Sequence, residues 1–368
     1  MLAVSITNFF GRIRMKKLLT SLLAVLFVFT IAGCVDETTT VPATQAPTTT
    51  VAPTTTAAPT TAAPTTVVTT VEEREFPVDG EFLAYEVGVS QNAPMVTYVI
   101  VTIEDDEITG YYIDCRQGTR TQTAGTDTPE DTTDDTYSFA WKESTKKELG
   151  DDYGMATEPG QLEWYEQAAL IEAYWLANGY DSVTVNESNV IDNVAGVTIK
   201  DGGYTDLAAA AVALAQAGQF QSVLCSADDL YSASMELSAA GVVSELVIDV
   251  LQGSPSGATF VWSELSKQKK GDDYGMAGVG PKYAFADGAW AIVPEQKCTL
   301  EWYEQVELIT DYVLANGWNE DLAAIGGRGA TIDGTTLLDD LAGVTVSSQS
   351  YYDLLSDLFG YVPEGTIE

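Results

Sequence analysis

"KKELGDDYGMA", from Lys146 to Ala156, returns as "KQKKGDDYGMA", from Lys267 to Ala277. Around it other blocks return too. "LEWYEQAALIEAYWLANG" begins at Leu162 and "LEWYEQVELITDYVLANG" at Leu300; "IDCRQG" stands at Ile113 and "IDVLQG" at Ile248; "DNVAGVTI" starts at Asp192 and "DDLAGVTV" at Asp339. Shared blocks in one unchanged order are the signature of tandem homologous units. The boundary falls near Gly218, which gives units at 72–217 and 218–368, each expected to fold without the other.

Within each unit the periodicities are mixed. "MVTYVIVTIEDDEITGYYIDCRQ" alternates apolar and polar residues about an acidic turn, Glu104 to Glu107, and predicts a β-hairpin. "EWYEQAALIEAYWLANG" carries Trp164, Ala168, Leu170, Ile171, Tyr174 and Trp175 at helical spacing and then stops at Gly179. "YTDLAAAAVALAQAG" predicts a second helix, closed by Gly218, after the first AGVT block, and "SYYDLLSDLFG" a last helix, closed by Gly360, after the second. The fold class expected is therefore α+β: two tandem units, each a β-sheet packed with helices.

The chain ahead of these units reads differently. From Met15, "MKKLLTSLLAVLFVFTIAGC" places two lysines before an apolar run that ends in small residues at Cys34, the pattern of an export signal over 1–33. Met15 fits the start of such a signal better than Met1. Ile31-Ala32-Gly33-Cys34 resembles a bacterial lipobox, which implies lipidation of Cys34 and a lipid-anchored protein on the outer face of the cell membrane. Residues 34–71 are nearly all Thr, Pro, Ala and Val, too poor in large apolar groups to offset chain entropy, and are expected to form a semi-stiff stalk open to O-glycosylation.

Composition removes whole classes of function. With 54 acidic and 17 basic residues, four of the latter in the signal region, the exported part is strongly anionic, so nucleic acid is not an expected partner. There is no histidine, which excludes Ser-His and Cys-His nucleophiles and His-ligated haem or zinc. Apart from Cys34 the cysteines are Cys115, Cys225 and Cys298, without a CxxC, so an iron–sulfur cluster is not expected either. "EDDEITG" and "TPEDTTDD" lack the ligand spacing of a calcium loop, and "GGRGA" at Gly326 lacks the Lys-Ser/Thr of a phosphate loop. Tyr153, Met155, Tyr274, Met276, Trp164 and Trp302 recur in both units and are read as core. No metal site and no catalytic residue is assigned.

The AGVT blocks remain. In each, a Thr sits a few residues before a helix start, where unpaired N–H groups and the helix dipole would stabilise a phosphate on its hydroxyl. Gly196 and Gly343, lacking Cβ, would admit a close-lying molecule. Residues 75 to 361 resemble two copies of the FMN-binding domain family, found in ion-pumping oxidoreductase subunits and in Gram-positive flavoprotein lipoproteins. That family's motif, Asp-x-x-(Ser/Ala/Thr)-Gly-(Ala/Val)-Thr, is matched by Asp192, Ala195, Gly196, Val197 and Thr198, and again by Asp339, Ala342, Gly343, Val344 and Thr345. Ala before Gly and Val before Thr are the rarer options. The resemblance implies two FMN groups held as Thr phosphoesters, installed by a separate flavin transferase, with Asp192 and Asp339 orienting the loop or read by that enzyme. It further implies a carrier that relays electrons from a membrane quinol-linked donor to an extracellular acceptor, an electron-transfer flavoprotein rather than a substrate-specific enzyme. The alternative is a non-redox surface lipoprotein that binds a ligand or wall polymer. A Thr-nucleophile hydrolase is disfavoured, since neither Thr is N-terminal and no His base exists.

Overall fold

The structure is a computed structural model that describes residues 74–125, 134–286, 289–319, 331–332, 335–336, 343–346 and 349–367. The signal segment, Cys34, the stalk, the GGRGA stretch from Gly326, Asp339 and Ala342 lie outside the described residues. Among the described residues no helix is long and apolar enough to cross a membrane.

The architecture is α+β, with two antiparallel sheets that carry helices. In the first repeat β1 (Gly80–Ser90), β2 (Ala93–Glu104), β3 (Glu107–Thr123) and β4 (Thr136–Trp141) run as a meander in the order β1-β2-β3-β4. The β2–β3 connection is the acidic turn: Asp105 and Asp106 both take positive φ, 54° and 67°, as a two-residue hairpin turn of matching twist requires. A short helix, α1 (Lys146–Leu149), precedes α2 (Trp164–Asn178) and α3 (Tyr204–Ala217). α2 packs on β3 and α3 on β1 and β2. Helix α2 buries Trp164, Gln167, Ala168, Ile171 and Trp175, one stripe at helical spacing.

Gly218, with φ 67°, ends α3 in the left-handed conformation that favours Gly, and β5 (Gln219–Ser226) follows without a linker. The second sheet repeats the first: β5, β6 (Asp229–Leu237), β7 (Val243–Ser256) and β8 (Thr259–Trp262), in the order β5-β6-β7-β8. Then come α4 (Lys267–Lys270), an inserted hairpin of β9 (Pro281–Ala286) and β10 (Ala289–Lys297), α5 (Trp302–Asn316) and α6 (Gln349–Gly360). The hairpin has no counterpart in the first repeat, and no sequence reading anticipates it.

Both repeats belong to one compact unit, Thr70–Glu368, and a single hydrophobic cluster runs through them. Counting from the shared GDDYGM blocks, Phe139 corresponds to Phe260 and Trp141 to Trp262; counting from the first strands, Phe82 corresponds to Phe220. Each of these residues packs on its own counterpart, with ring centroids 5.6, 6.1 and 4.2 Å apart respectively. Like-on-like contact is what a two-fold axis produces, so the repeats meet as an isologous pair inside one chain. Hydrogen bonds tie the seam further, from the Glu81 N–H to the Tyr361 carbonyl (3.0 Å) and from the Trp262 indole to the Gly88 carbonyl (2.9 Å).

This seam has a consequence for the separated halves. A fragment of residues 72–217 alone exposes Phe82, Phe139 and Trp141, and a second copy presents the same complementary surface. The fragment is expected to dimerise or aggregate rather than stay monomeric, which light scattering behind size exclusion measures; a folded monomer would contradict the shared seam.

Candidate functional site

The repeated blocks meet at the N-terminal ends of α2 and α5. Glu163, just ahead of α2, accepts hydrogen bonds from the N–H groups of Met155 and Ala156, both 2.9 Å; Glu301 does the same for Met276 (2.8 Å) and Ala277 (2.9 Å). The Ala156 N–H, joined by that of Met155, holds the Glu163 carboxyl below its ordinary range against a smaller desolvation effect. Each of these glutamates also forms a capping box with the Glu three residues on. The GDDYGMA and LEWYEQ blocks are thus two halves of one hydrogen-bonded unit.

One turn into each helix is a fully buried glutamine on the apolar stripe. The Oε1 of Gln167 accepts from the Thr198 N–H (2.7 Å), the Ile199 N–H (3.2 Å) and the Thr198 hydroxyl (3.3 Å). Gln305 binds the Thr345 N–H (2.8 Å), the Val346 N–H (3.2 Å) and the Thr345 hydroxyl (3.3 Å) in the same way. The other end of each amide donates to the carbonyl of Leu162 (2.9 Å) or Leu300 (3.2 Å), so the acceptor oxygen is the one facing the Thr. Both AGVT loops are clamped to their helix by one side chain. Because the hydroxyl donates its hydrogen bond to Gln, its oxygen lone pairs are left for other chemistry.

The rest of the loop is arranged around this clamp. Val197 and Val344 are buried, while Ala195, Gly196 and Gly343 are exposed. Asp192 accepts from the Thr184 hydroxyl (2.6 Å), and its N–H bonds the Thr184 carbonyl, a loop-orienting role. The two threonines differ in access: Thr198 is exposed and Thr345 is 8% exposed.

At the start of α3 Asp201 accepts from the N–H groups of Tyr204 (2.8 Å) and Thr205 (3.3 Å), and Gln167 takes those of Thr198 and Ile199, so these four donors are already engaged. The fold itself requires the two glycines. Their φ values, 87° and 98°, lie in the left-handed region, and a Cβ on Gly196 would stand 3.1 Å from Leu170, one on Gly343 2.9 Å from Leu300.

Aromatic rings close the same ends of the helices. Trp164 meets Tyr204 edge-on at 6.2 Å, with the Lys146 ammonium 4.9 Å from the Trp164 ring; Trp302 meets Tyr351 at 6.3 Å, with Lys267 at 5.4 Å. Both Trp rings and both Tyr partners are buried, so they brace the helix ends as core. Tyr153, Met155, Tyr274 and Met276 pack against the core half-buried. Among the described residues no group of His, Cys, Asp and Glu is disposed to hold a metal ion.

No family model matches this chain, and no curated protein matches it. A solution NMR structure of a protein from Clostridium thermocellum is similar to it over 37% of this chain and 89% of that one, at 22% sequence identity and a TM-score of 0.22.

Proposed function

We propose that the chain is an exported, lipid-anchored flavoprotein whose Thr198 and Thr345 carry FMN as phosphoesters, relaying electrons from a membrane quinol-linked donor to an extracellular acceptor. What supports the reading above all is the clamp that recurs at both threonines. In each repeat a buried glutamine fixes the Thr backbone and accepts a hydrogen bond from the hydroxyl, which orients the oxygen lone pairs toward an incoming phosphorus; the base that removes the proton and the flavin donor that releases a leaving group are supplied by the transferase. The residues at Thr198 fit a bulky substituent, since the hydroxyl is exposed and the flanking Gly196 and Lys200 are exposed too.

The engagement of the N–H groups of Thr198, Ile199, Tyr204 and Thr205 bears on how such a group is held. A loop whose N–H groups are already taken by Gln167 and Asp201 gives a dissociable phosphate little to bind, and a protein facing the medium loses such a ligand by dilution. An ester has no such requirement. FMN supplies a redox group to a chain that has no histidine and no clustered cysteine. The proposal assigns Gln167 and Gln305 to positioning, Thr198 and Thr345 to attachment, and Asp192 to the shape of the loop. Thr→Val substitution at both sites, with flavin read from visible absorbance, tests it.

The anchor has its own test. Cys34→Ser is expected to move the protein from the membrane fraction to the medium while its thermal unfolding stays unchanged. Unaltered fractionation would favour retention of the apolar segment as a helix over lipidation.

A further inference from the structure

The two repeats part company at one buried carboxylate. On β3, Asp114 is 1% exposed and accepts from the N–H groups of Cys115 (2.7 Å) and Lys147 (3.1 Å) and from the phenol hydroxyls of Tyr98 (3.2 Å) and Tyr112 (3.1 Å). Tyr98 stands directly opposite Asp114 in the β2–β3 register. The aligned residue of the second repeat is Asp249, and it keeps the two backbone bonds, from Val250 (2.7 Å) and Gln268 (3.0 Å).

Neither phenol has a counterpart there. The residue opposite Asp249 is Ser232, whose hydroxyl bonds Tyr85 from the other repeat, and Tyr112 is replaced by Val247. Two further side chains shrink or turn polar in the same register, Leu83 to Gln221 and Ile100 to Ser234. The space they give up is a cavity of about 160 Å³ lined by Tyr85, Gln221, Ser232, Ser234, Val247 and Asp249. It lies beside a cleft of about 580 Å³ that shares Tyr85, Gln221, Ser232 and Asp249 and adds the apolar walls Leu230, Leu251 and Trp262.

The geometry points to a binding site for a small benzenediol of the catechol or hydroquinone class, its ring in the space that Tyr98 fills in the first repeat and one hydroxyl donating to Asp249. Three considerations select that chemistry. The cavity has about the volume, ~150 Å³, of a protein void known to accept a single benzene ring. Among the described residues no hydroxyl donates to Asp249, whereas a countercharge is at hand, since the Lys267 ammonium lies within electrostatic reach of it. The Ser234 hydroxyl and Gln221 amide stand side by side on neighbouring strands, where they can take a second hydroxyl. The site does not depend on the flavin assignment, and it lies on the sheets rather than at the AGVT loops.

The test is titration of the full chain with catechol and with hydroquinone under argon, followed by calorimetry. Saturable binding with one ligand per chain is expected, at least tenfold weaker for cyclohexane-1,2-diol, which lacks the flat ring. Ser232→Tyr installs the residue of the first repeat and is expected to weaken binding tenfold or more; Asp249→Asn, which removes the charged acceptor, is expected to do the same. If Ser232→Tyr does not fold, Ser234→Ile fills the same cavity from the next position, with the residue that stands there in the first repeat. Absence of saturable binding to the wild type, or binding that folded Ser232→Tyr or Ser234→Ile leaves unchanged, would overturn the proposal.

Discussion

Gln167→Leu is expected to destabilise the protein by roughly 2 to 4 kcal/mol, because a side chain of similar size then leaves the Thr198 and Ile199 N–H groups and the Leu162 carbonyl without partners, each at about 1 to 3 kcal/mol when buried. The sum is held down by the exposure of Thr198, where water can replace part of the loss. A fall in melting temperature of about 5 °C or more should follow. Gln167→Glu separates the parts of the clamp. In its protonated form it keeps an acceptor for both N–H groups and an O–H donor for the Leu162 carbonyl, so its loss should be smaller than that of Gln167→Leu at acid pH and grow as pH rises and a charge must be buried at this fully covered position. Flavin attachment at Thr198 should fall in Gln167→Leu and persist in Gln167→Glu. Equal melting temperatures for wild type and Gln167→Leu would show that the loop does not depend on the clamp.

The two attachment sites should load at different rates. Thr198 is exposed and Thr345 is nearly covered, so a transferase reaches the first directly and the second only after a local opening. An opening cost of about 1.4 kcal/mol already slows the second tenfold. In a time course with limiting transferase, Thr198→Val is expected to abolish the fast addition and Thr345→Val the slow one. Valine preserves the β-branched shape, so the backbone preference is kept and only the oxygen is lost. Indistinguishable rates at the two sites would mean that the difference in exposure has no bearing on the enzyme's access.

Much of the fold is legible in the sequence because its signals are local. The Asp105–Asp106 turn, the apolar stripe from Trp164 to Trp175 and the stop at Gly218 each follow from spacing within a few residues, and they appear where the spacing places them. The seam between repeats is not legible. Phe82 on Phe220 and Trp141 on Trp262 are contacts between residues more than a hundred positions apart, and alternation along a strand says which face is buried but not against what. The inserted β9–β10 hairpin is missed because its residues carry no matching block in the first repeat.

At the candidate site the threonines were conspicuous and the glutamines were not, although a signal existed. Gln167 and Gln305 are polar residues at one place on an otherwise apolar stripe, in a block that is repeated, and a buried amide needs partners. The start of α3 is also less open to an anion than its position suggests. Asp201 lies three residues before Tyr204, at the spacing by which a side chain caps a helix from outside, and a capped terminus has fewer donors for an anion.

The central claim is that Thr198 and Thr345 carry flavin, and intact mass after coexpression with an active flavin transferase tests it most directly. The denatured wild type should carry two FMN additions, each single Thr→Val variant one and the double variant none, with peptide mapping placing flavin on the segments that contain Thr198 and Thr345. An unmodified wild type in the presence of active transferase, or covalent flavin that survives in the double variant, would contradict the account.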